Sequence, residues 1–311
     1  MATPILVRAR GPFDLALSTR AAARFLPEPP EDSNTYQQAL RVGNKAVMMR
    51  ARQNRRTAAH ALLEVSSQPA SQAAALKRMA EWVFHADLDL RLFTKAAQGH
   101  AVMELIVDRY WGLKPFRVPS LFDMAVIAIT EQQISLAAAY RIRARLIESF
   151  GKLVGGQWAY PTPADLAPLA PDDLKACGLS SRKAEYIIGL ARDVASGQLD
   201  LEMVKSLPLP EARALLLSIR GIGPWAAEYI LVRGVGLMDV VPADDLGIRT
   251  LVGYYLGDGS RMSADEVRRG LEPFEPWRGL ATFYLMVDYR LAMHEGRVPW
   301  RATSTDQVHP G

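Results

Sequence analysis

The chain has 311 residues, 49% hydrophobic and 23% charged, ordinary globular proportions that exclude wholesale disorder and suit about two domains. Its 37 Lys and Arg against 33 Asp and Glu leave a net charge of +4, which permits a polyanionic partner without demanding one. The single cysteine, Cys177, excludes a disulfide framework, a cysteine zinc finger and a four-cysteine iron–sulfur cluster. No apolar run approaches the roughly 18 residues that span a membrane, and the start lacks the apolar stretch of a secretory leader, so a soluble, intracellular protein is expected.

The first 85 or so residues read as mixed α and β. Ile5, Val7 and Ala9 alternate as in a half-buried strand, Phe13 to Phe25 suits a helix, and the Pro-rich stretch from Pro27 to Asn34 is a loop by composition. Gln38 to Val42 and Ala46 to Arg52 are strands joined through Gly43, Asn44 and Lys45; Asn54, Arg55 and Arg56 then read as a polar turn before a third strand, Ala59 to Val65. Arg50, Arg52, Arg55 and Arg56 suit a solvated hairpin edge more than a phosphate contact. Ala73 to Val83 carries helical spacing, giving an αβ layer with its own small core.

From residue 87 onward the pattern is helical almost throughout. Phe122, Val126, Ile129 and Gln133 fall on one helical stripe, and Leu136 to Phe150 continues as a second helix. Further helices are expected at Asp172–Cys177, Arg182–Ala195, Ala212–Ile219, Pro224–Arg233, Asp245–Tyr255, Ser263–Leu271 and Trp277–Ala292, punctuated by Gly and by Pro at first turns. The tail from Arg297 is expected to be loose. The five histidines show no metal-ligand spacing, Cys177 suits a small buried position, and Arg182 and Lys183 stand where they would face a nucleic-acid backbone.

Two stretches carry the chemistry. Residues 215–234, LLLSIRGIGPWAAEYILVRG, read as helix, hairpin, helix. Gly221 and Gly223 permit backbone angles closed to other residues and, with Ile222 between them, leave amides uncovered, which suits a phosphate. Alone, that motif is equally a plain αα-hairpin. Residues 240–251, VVPADDLGIRTL, put Asp244 and Asp245 at a helix start, where an acid is ordinarily a cap favoured by the helix dipole.

Together, the hairpin, the Gly-Pro that closes it and an acid about 20 residues on resemble the helix-hairpin-helix (HhH-GPD) DNA glycosylase superfamily. Pro224-Trp225-Ala226-Ala227 with Tyr229, then Pro242, Asp244 and Asp245, resemble its 3-methyladenine DNA glycosylase II (AlkA-like) branch. The segments Phe122–Ser135, Cys177–Ala191 and Pro276–Arg278 agree, so the resemblance covers roughly residues 85–295. It implies a mainly α fold with an N-terminal α+β, TATA-binding-protein-like domain over 1–86. A helical domain over 87–119 and 238–296 would carry the catalytic acid, another over 120–237 the hairpin, and 297–311 would form the tail.

By the same resemblance, Asp245 occupies the position of the catalytic aspartate and Asp244 is the helix cap. Trp225 and Tyr229 match aromatic residues lining a base pocket, four apart and so on one helix face. Met286 stands where a tryptophan near the catalytic acid is expected. Gln133 matches the residue pushed into the duplex where the base has left. Gly221, Ile222 and Gly223 match the phosphate-binding hairpin, which in relatives often holds a monovalent cation through backbone carbonyls; no cofactor is otherwise required. Trp225 replaces the lysine with which bifunctional relatives form a Schiff base, so the resemblance implies a monofunctional enzyme of base excision repair. It would flip an alkylated base of the 3-methyladenine or 7-methylpurine type out of duplex DNA and hydrolyse its N-glycosidic bond.

The same chemistry on hypoxanthine or ethenoadenine, and a non-catalytic protein that binds damaged DNA, are the alternatives. The expected partner is damaged double-stranded DNA and no membrane, met by a monomer in the bacterial cytoplasm or the eukaryotic nucleus.

Overall fold

A computed structural model of the chain describes residues 4–22, 35–43, 45–56 and 59–299. The chain opens with β1 (Ile5–Arg10), α1 (Leu15–Ala22), β2 (Thr35–Val42), β3 (Lys45–Arg56), β4 (His60–Gln68) and α2 (Ala73–Val83). The strands form one antiparallel sheet in the order β1-β4-β3-β2. Val7 and Ala9 on β1, and Ala61, Leu63 and Val65 on β4, are buried, while Arg8 and Arg10 face solvent; period-2 patterning thus gives the sheet one apolar face. Leu76, Ala80 and Val83 of α2 pack in the same core, with a cluster of Phe13, Tyr36, Phe84 and Phe116. Tyr36 lies edge-on to Phe84 and Phe116, with ring centroids 4.9 and 5.5 Å away, the arrangement ring quadrupoles favour.

Three expectations in this region need correction. Asn54 to Arg56 do not turn the chain: β3 continues through them, and the irregularity is a bulge between Gln53 and Arg55. The Gln53 side chain there bonds the backbone of Phe13 and Leu15, which ties the bulge to the start of α1. Arg50 and Arg52 are not on a hairpin edge, since β3 is paired on both sides; Arg50 is bound by Gln37 and Gln68. The helix expected from Phe13 begins at Leu15 and is described to Ala22. Residues 23–25, the Pro-rich loop, Asn44 and the side chains of Arg55 and Arg56 lie outside the described part.

The remainder comprises α3 (Leu90–Ala97), α4 (Ala101–Arg109), α5 (Leu121–Glu131), α6 (Leu136–Phe150), β5 (Lys152–Val154), β6 (Gln157–Ala159), α7 (Pro163–Leu166), α8 (Pro171–Ala176), α9 (Ser181–Ala195), α10 (Leu209–Ser218), α11 (Pro224–Ile230), α12 (Leu246–Leu256), α13 (Ala264–Leu271) and α14 (Arg278–His294). These helices serve two cores. One gathers residues from Val118 to Val240 around α5, which is buried on nearly every face, as an apolar helix must be. The other joins Leu88–Leu113 to Met238–Leu291 around α14. In it the fully buried Asp288 accepts from Tyr255 (2.6 Å), Tyr110 (3.0 Å) and Arg109 (3.1 Å), so one carboxylate pins α4, α12 and α14 together.

Two further differences from the sequence reading concern α5 and the tail. Gln133 is not on the α5 stripe: the helix stops at Glu131, and Gln133 has φ 53° in an exposed turn. Arg297 to Pro299 are not loose, because the Arg297 amide donates to Ala292 (2.8 Å) and Tyr254 donates to the Pro299 carbonyl (2.8 Å); residues 300–311 lie outside the described part. Among the described residues, no helix is long and apolar enough to cross a membrane.

Candidate active site

The hairpin connects α10 to α11. The Ile222 amide donates to Ile219 (3.0 Å), closing a tight turn. Gly221 has φ 94°, and a Cβ there would sit 2.5 Å from the Tyr186 ring, so this glycine is required twice over. Gly223 differs from the expectation. Its φ is −93°, open to any residue, and nothing lies within 4 Å of where a Cβ would be. Its glycine leaves the backbone bare at the start of α11. Pro224 then opens α11, which gives way after Ile230 to a π-helical turn, Leu231–Val235, rather than continuing regularly to Arg233.

That geometry places Trp225 and Tyr229 one turn apart, half-buried and stacked, with ring centroids 5.2 Å apart and planes at 29°. Trp225 Nε1 donates to Asp245 Oδ2 at 2.8 Å. Asp245 Oδ1 accepts from the Ile248 amide at 3.0 Å, making Asp245 the N-cap of α12. This corrects the assignment of the two acids: Asp244 is not the cap. It is exposed and faces Arg268 at 3.5 Å. Asp245 combines the capping and indole-binding positions because the Pro242–Asp245 turn, closed by the Asp245 amide on the Pro242 carbonyl (2.9 Å), delivers it last before the helix.

The turn is held from behind by α14. Leu280 donates to the Met238 carbonyl (2.9 Å), Arg278 Nε donates to Asp239 Oδ1 (2.8 Å), and a Cβ on Gly279 would lie 2.4 Å from the Val240 carbonyl. Met286 lies half-buried further along α14, packed with the core that also receives Val232, Val241 and Ile248. Trp225 and Tyr229 pack instead against the α5 core. The acid and the aromatic pair therefore come from the two different helical cores and meet through one hydrogen bond.

Sequence reasoning missed the end of α5. Glu131 is buried, ion-paired with Arg143, and its Oε2 accepts from the Tyr229 hydroxyl at 3.1 Å. Lys183 does not face outward as expected: its ammonium donates to the carbonyls of Thr130 (2.9 Å) and Gln132 (2.6 Å), a cation on a helix C-terminus. Gln132 Nε2 donates to the Gly221 carbonyl (2.9 Å), tying this turn to the hairpin. Gln133, Ile134 and Ser135 follow as an exposed run. The only sequence signal was a glutamate and a lysine at the borders of apolar helices.

A cavity of about 450 Å³ lies elsewhere, between α1 and the ends of α4 and α14, lined by Arg20, Arg109 and Arg297 against Asp14 and Glu295. It includes none of the residues above. No cluster of metal-ligating side chains occurs among the described residues.

Residues 126–276 match the HhH-GPD superfamily of base excision DNA repair proteins. A DNA-3-methyladenine glycosylase of Bacillus subtilis is 33% identical over 214 residues, covering 68% of this chain and 70% of the relative. The chain belongs to the HhH-GPD superfamily, in its AlkA-like branch. Glycosylase 2 of Escherichia coli, a DNA-3-methyladenine glycosylase, is 31% identical over 167 residues, covering 53% of this chain and 56% of that one. The solved structure of the 3-methyladenine DNA glycosylase from Archaeoglobus fulgidus superposes with a TM-score of 0.79 at 26% identity, covering 92% of this chain and 98% of that one. The N-terminal sheet followed by helical HhH-GPD architecture is thus shared over nearly the whole molecule.

Proposed function

We propose that the protein is a monofunctional DNA glycosylase that removes alkylated bases, of the 3-methyladenine and 7-methylpurine type, from duplex DNA. The observation that carries this reading is the Asp245 carboxylate bonded to the indole of a stacked Trp225–Tyr229 pair. Alkylation at a ring nitrogen makes the base cationic, and the π faces of the two rings attract a cation. Met286 would border the same space in place of a larger ring.

The nucleotide leaves the stack to reach this surface, and Gln133, in its exposed turn, fills the gap. The N-glycosidic bond then breaks, its electron pair goes to the base and neutralises it, and an oxocarbenium-like sugar remains. Asp245 lies beside that charge. Each of its oxygens already accepts one bond and keeps a further lone pair. Those lone pairs stabilise the cationic sugar and accept a proton from the water that adds to its anomeric carbon. The products are a free base and an abasic site. With Trp225 at the position where bifunctional relatives carry lysine, no Schiff base forms, and the strand stays intact.

The hairpin at Gly221–Gly223 grips the DNA backbone through its amides. The carbonyls of Ile219, Gly221 and Gly223 accept from Ile222, Gln132 and Ala227 respectively, and each keeps a lone pair. An all-carbonyl set of this kind fits a monovalent cation, which would stiffen the turn and add positive charge facing phosphate. The chemistry itself asks for no cofactor and for one copy of the chain.

The test is incubation of the protein with methylated duplex DNA, identification of released bases, and scoring of strand breaks before and after alkali. Release of methylated purines with breaks only after alkali is expected. Breaks without alkali would overturn the water route, and tight binding without release from methylated, hypoxanthine or ethenoadenine duplexes would leave a damage-binding protein instead.

A further inference from the structure

Helix α5 is almost wholly apolar, yet it ends on a buried carboxylate. The end of the helix does not require that group, because Lys183 already satisfies the Thr130 and Gln132 carbonyls. Burying a carboxylate is costly unless partners satisfy it. Glu131 has two: Arg143, itself buried on α6, and the Tyr229 hydroxyl on α11. From Tyr229 the contacts run on without a gap. Tyr229 stacks on Trp225 at 5.2 Å, and Trp225 donates to Asp245 at 2.8 Å. On the other side, Glu131 is followed directly by Gln132, tied to the hairpin at Gly221, and by the exposed Gln133.

We propose that Glu131 is a positioning residue for the base pocket. Its carboxylate fixes the Tyr229 ring, the stacked Trp225 follows, and the Asp245 carboxylate is thereby aimed. The turn that enters the duplex and the wall that receives the base hang from adjacent residues, so movement of the turn is transmitted to the pocket through one buried side chain. This role rests on the reading of Asp245 and the aromatic pair given above. It predicts that losing the Glu131–Tyr229 bond slows the chemical step and leaves affinity for an abasic duplex unchanged, because Glu131 is buried and the Tyr229 hydroxyl is turned onto it.

The experiment compares Glu131→Gln, Tyr229→Phe and the double variant with wild type. It measures single-turnover base release from methylated duplex and, separately, Kd for an abasic-analogue duplex. The glutamine amide removes the charge that faces Arg143 and can meet the Tyr229 hydroxyl only as a donor, which reverses that bond and turns the hydroxyl; Tyr229→Phe removes the hydroxyl and keeps the ring. Each single variant is expected to release base about tenfold more slowly, with Kd within about twofold of wild type. The double variant should be no slower than the slower single, since both break the same link. Tyr229→Phe at wild-type rate, or a double variant whose loss is the product of the single losses, overturns the role. If Glu131→Gln does not fold, Tyr229→Phe, which leaves the Arg143–Glu131 pair intact, carries the test alone. A wild-type protein that releases no base removes the functional reading and this role with it, whereas variants matching an active wild type remove only the role of Glu131.

Discussion

Asp245 gives its two oxygens to two elements, one to the first turn of α12 and one to the indole of α11. Its neighbour Asp244 is exposed and meets Arg268 only at the surface. The adjacent acids are therefore expected to differ sharply. Asp244→Asn should change stability by less than about 0.5 kcal/mol, as isolated surface pairs do. Asp245→Ala should lose about 1 kcal/mol of capping and the Trp225 bond besides, while Asp245→Asn keeps the cap but sets its NH2 against the Trp225 N–H and should lose about 1 kcal/mol with that bond. Thermal or denaturant unfolding of the three variants checks this, and equal costs at both positions would contradict the cap assignment. Sequence made the pair of acids, Trp225 and Tyr229 legible, because their spacing around two helix starts is local. It put the cap on Asp244 instead of Asp245, because the last residue before α12 depends on how tightly Pro242 turns the chain. Glu131 was hidden for a different reason: its partners stand 12 and 98 residues away in sequence, and only packing brings them together.

At the scale of elements, the hairpin separates two uses of glycine. Gly221→Ala places a methyl group in the Tyr186 ring at a left-handed backbone position, and should cost more than 1 kcal/mol and weaken duplex binding with it. Gly223→Ala meets open space at an ordinary φ, so the fold should be unaffected; under the proposed hairpin contact the methyl group would cover the backbone offered to a phosphate, and affinity for duplex should still fall several-fold. Melting curves and duplex titrations of both variants test the pair, and a Gly223→Ala protein that binds like wild type would remove the hairpin contact at that amide. Most helices were legible from their caps and period. The β5–β6 hairpin was not: strands of three residues give no periodicity, although Gly155-Gly156, at φ 58° and 85°, is the turn signal they leave behind. The α5 stripe was over-read through Gln133 for a related reason. Nothing in the sequence marks Lys183 as the group that closes α5 two residues earlier.

At the scale of the molecule, the segment between the N-terminal sheet and the helical cores is held by a buried cation. Lys114 donates to the carbonyls of Arg10 (2.8 Å) and His85 (3.3 Å), and burial pushes its ammonium down to about 7. The unfolded chain keeps that proton to near 10.5, so between pH 7 and 10.5 it binds more protons than the folded one. Stability from this group therefore rises with pH across that window, by up to about 1.4 kcal/mol per pH unit. Burial likewise holds His85 down at about 3, so it stays neutral there. The thermal midpoint of wild type should gain more between pH 7 and 9 than that of Lys114→Met; parallel curves would contradict the assignment. The division into a sheet unit and helical cores follows from the period-2 and helical patterns that the sequence displays. Its junctions do not, because Lys114 reads as an ordinary surface lysine until the carbonyls around it are known.

The central claim is that Asp245 carries the chemistry beside the Trp225–Tyr229 pair. It is tested most directly by single-turnover release of methylated purines from duplex DNA by wild type, Asp244→Asn and Asp245→Asn, with duplex Kd measured alongside. Asp244→Asn is expected to release base at the wild-type rate. Asp245→Asn is expected to lose about a hundredfold or more in rate at near-normal affinity. Near-normal release by Asp245→Asn would contradict it.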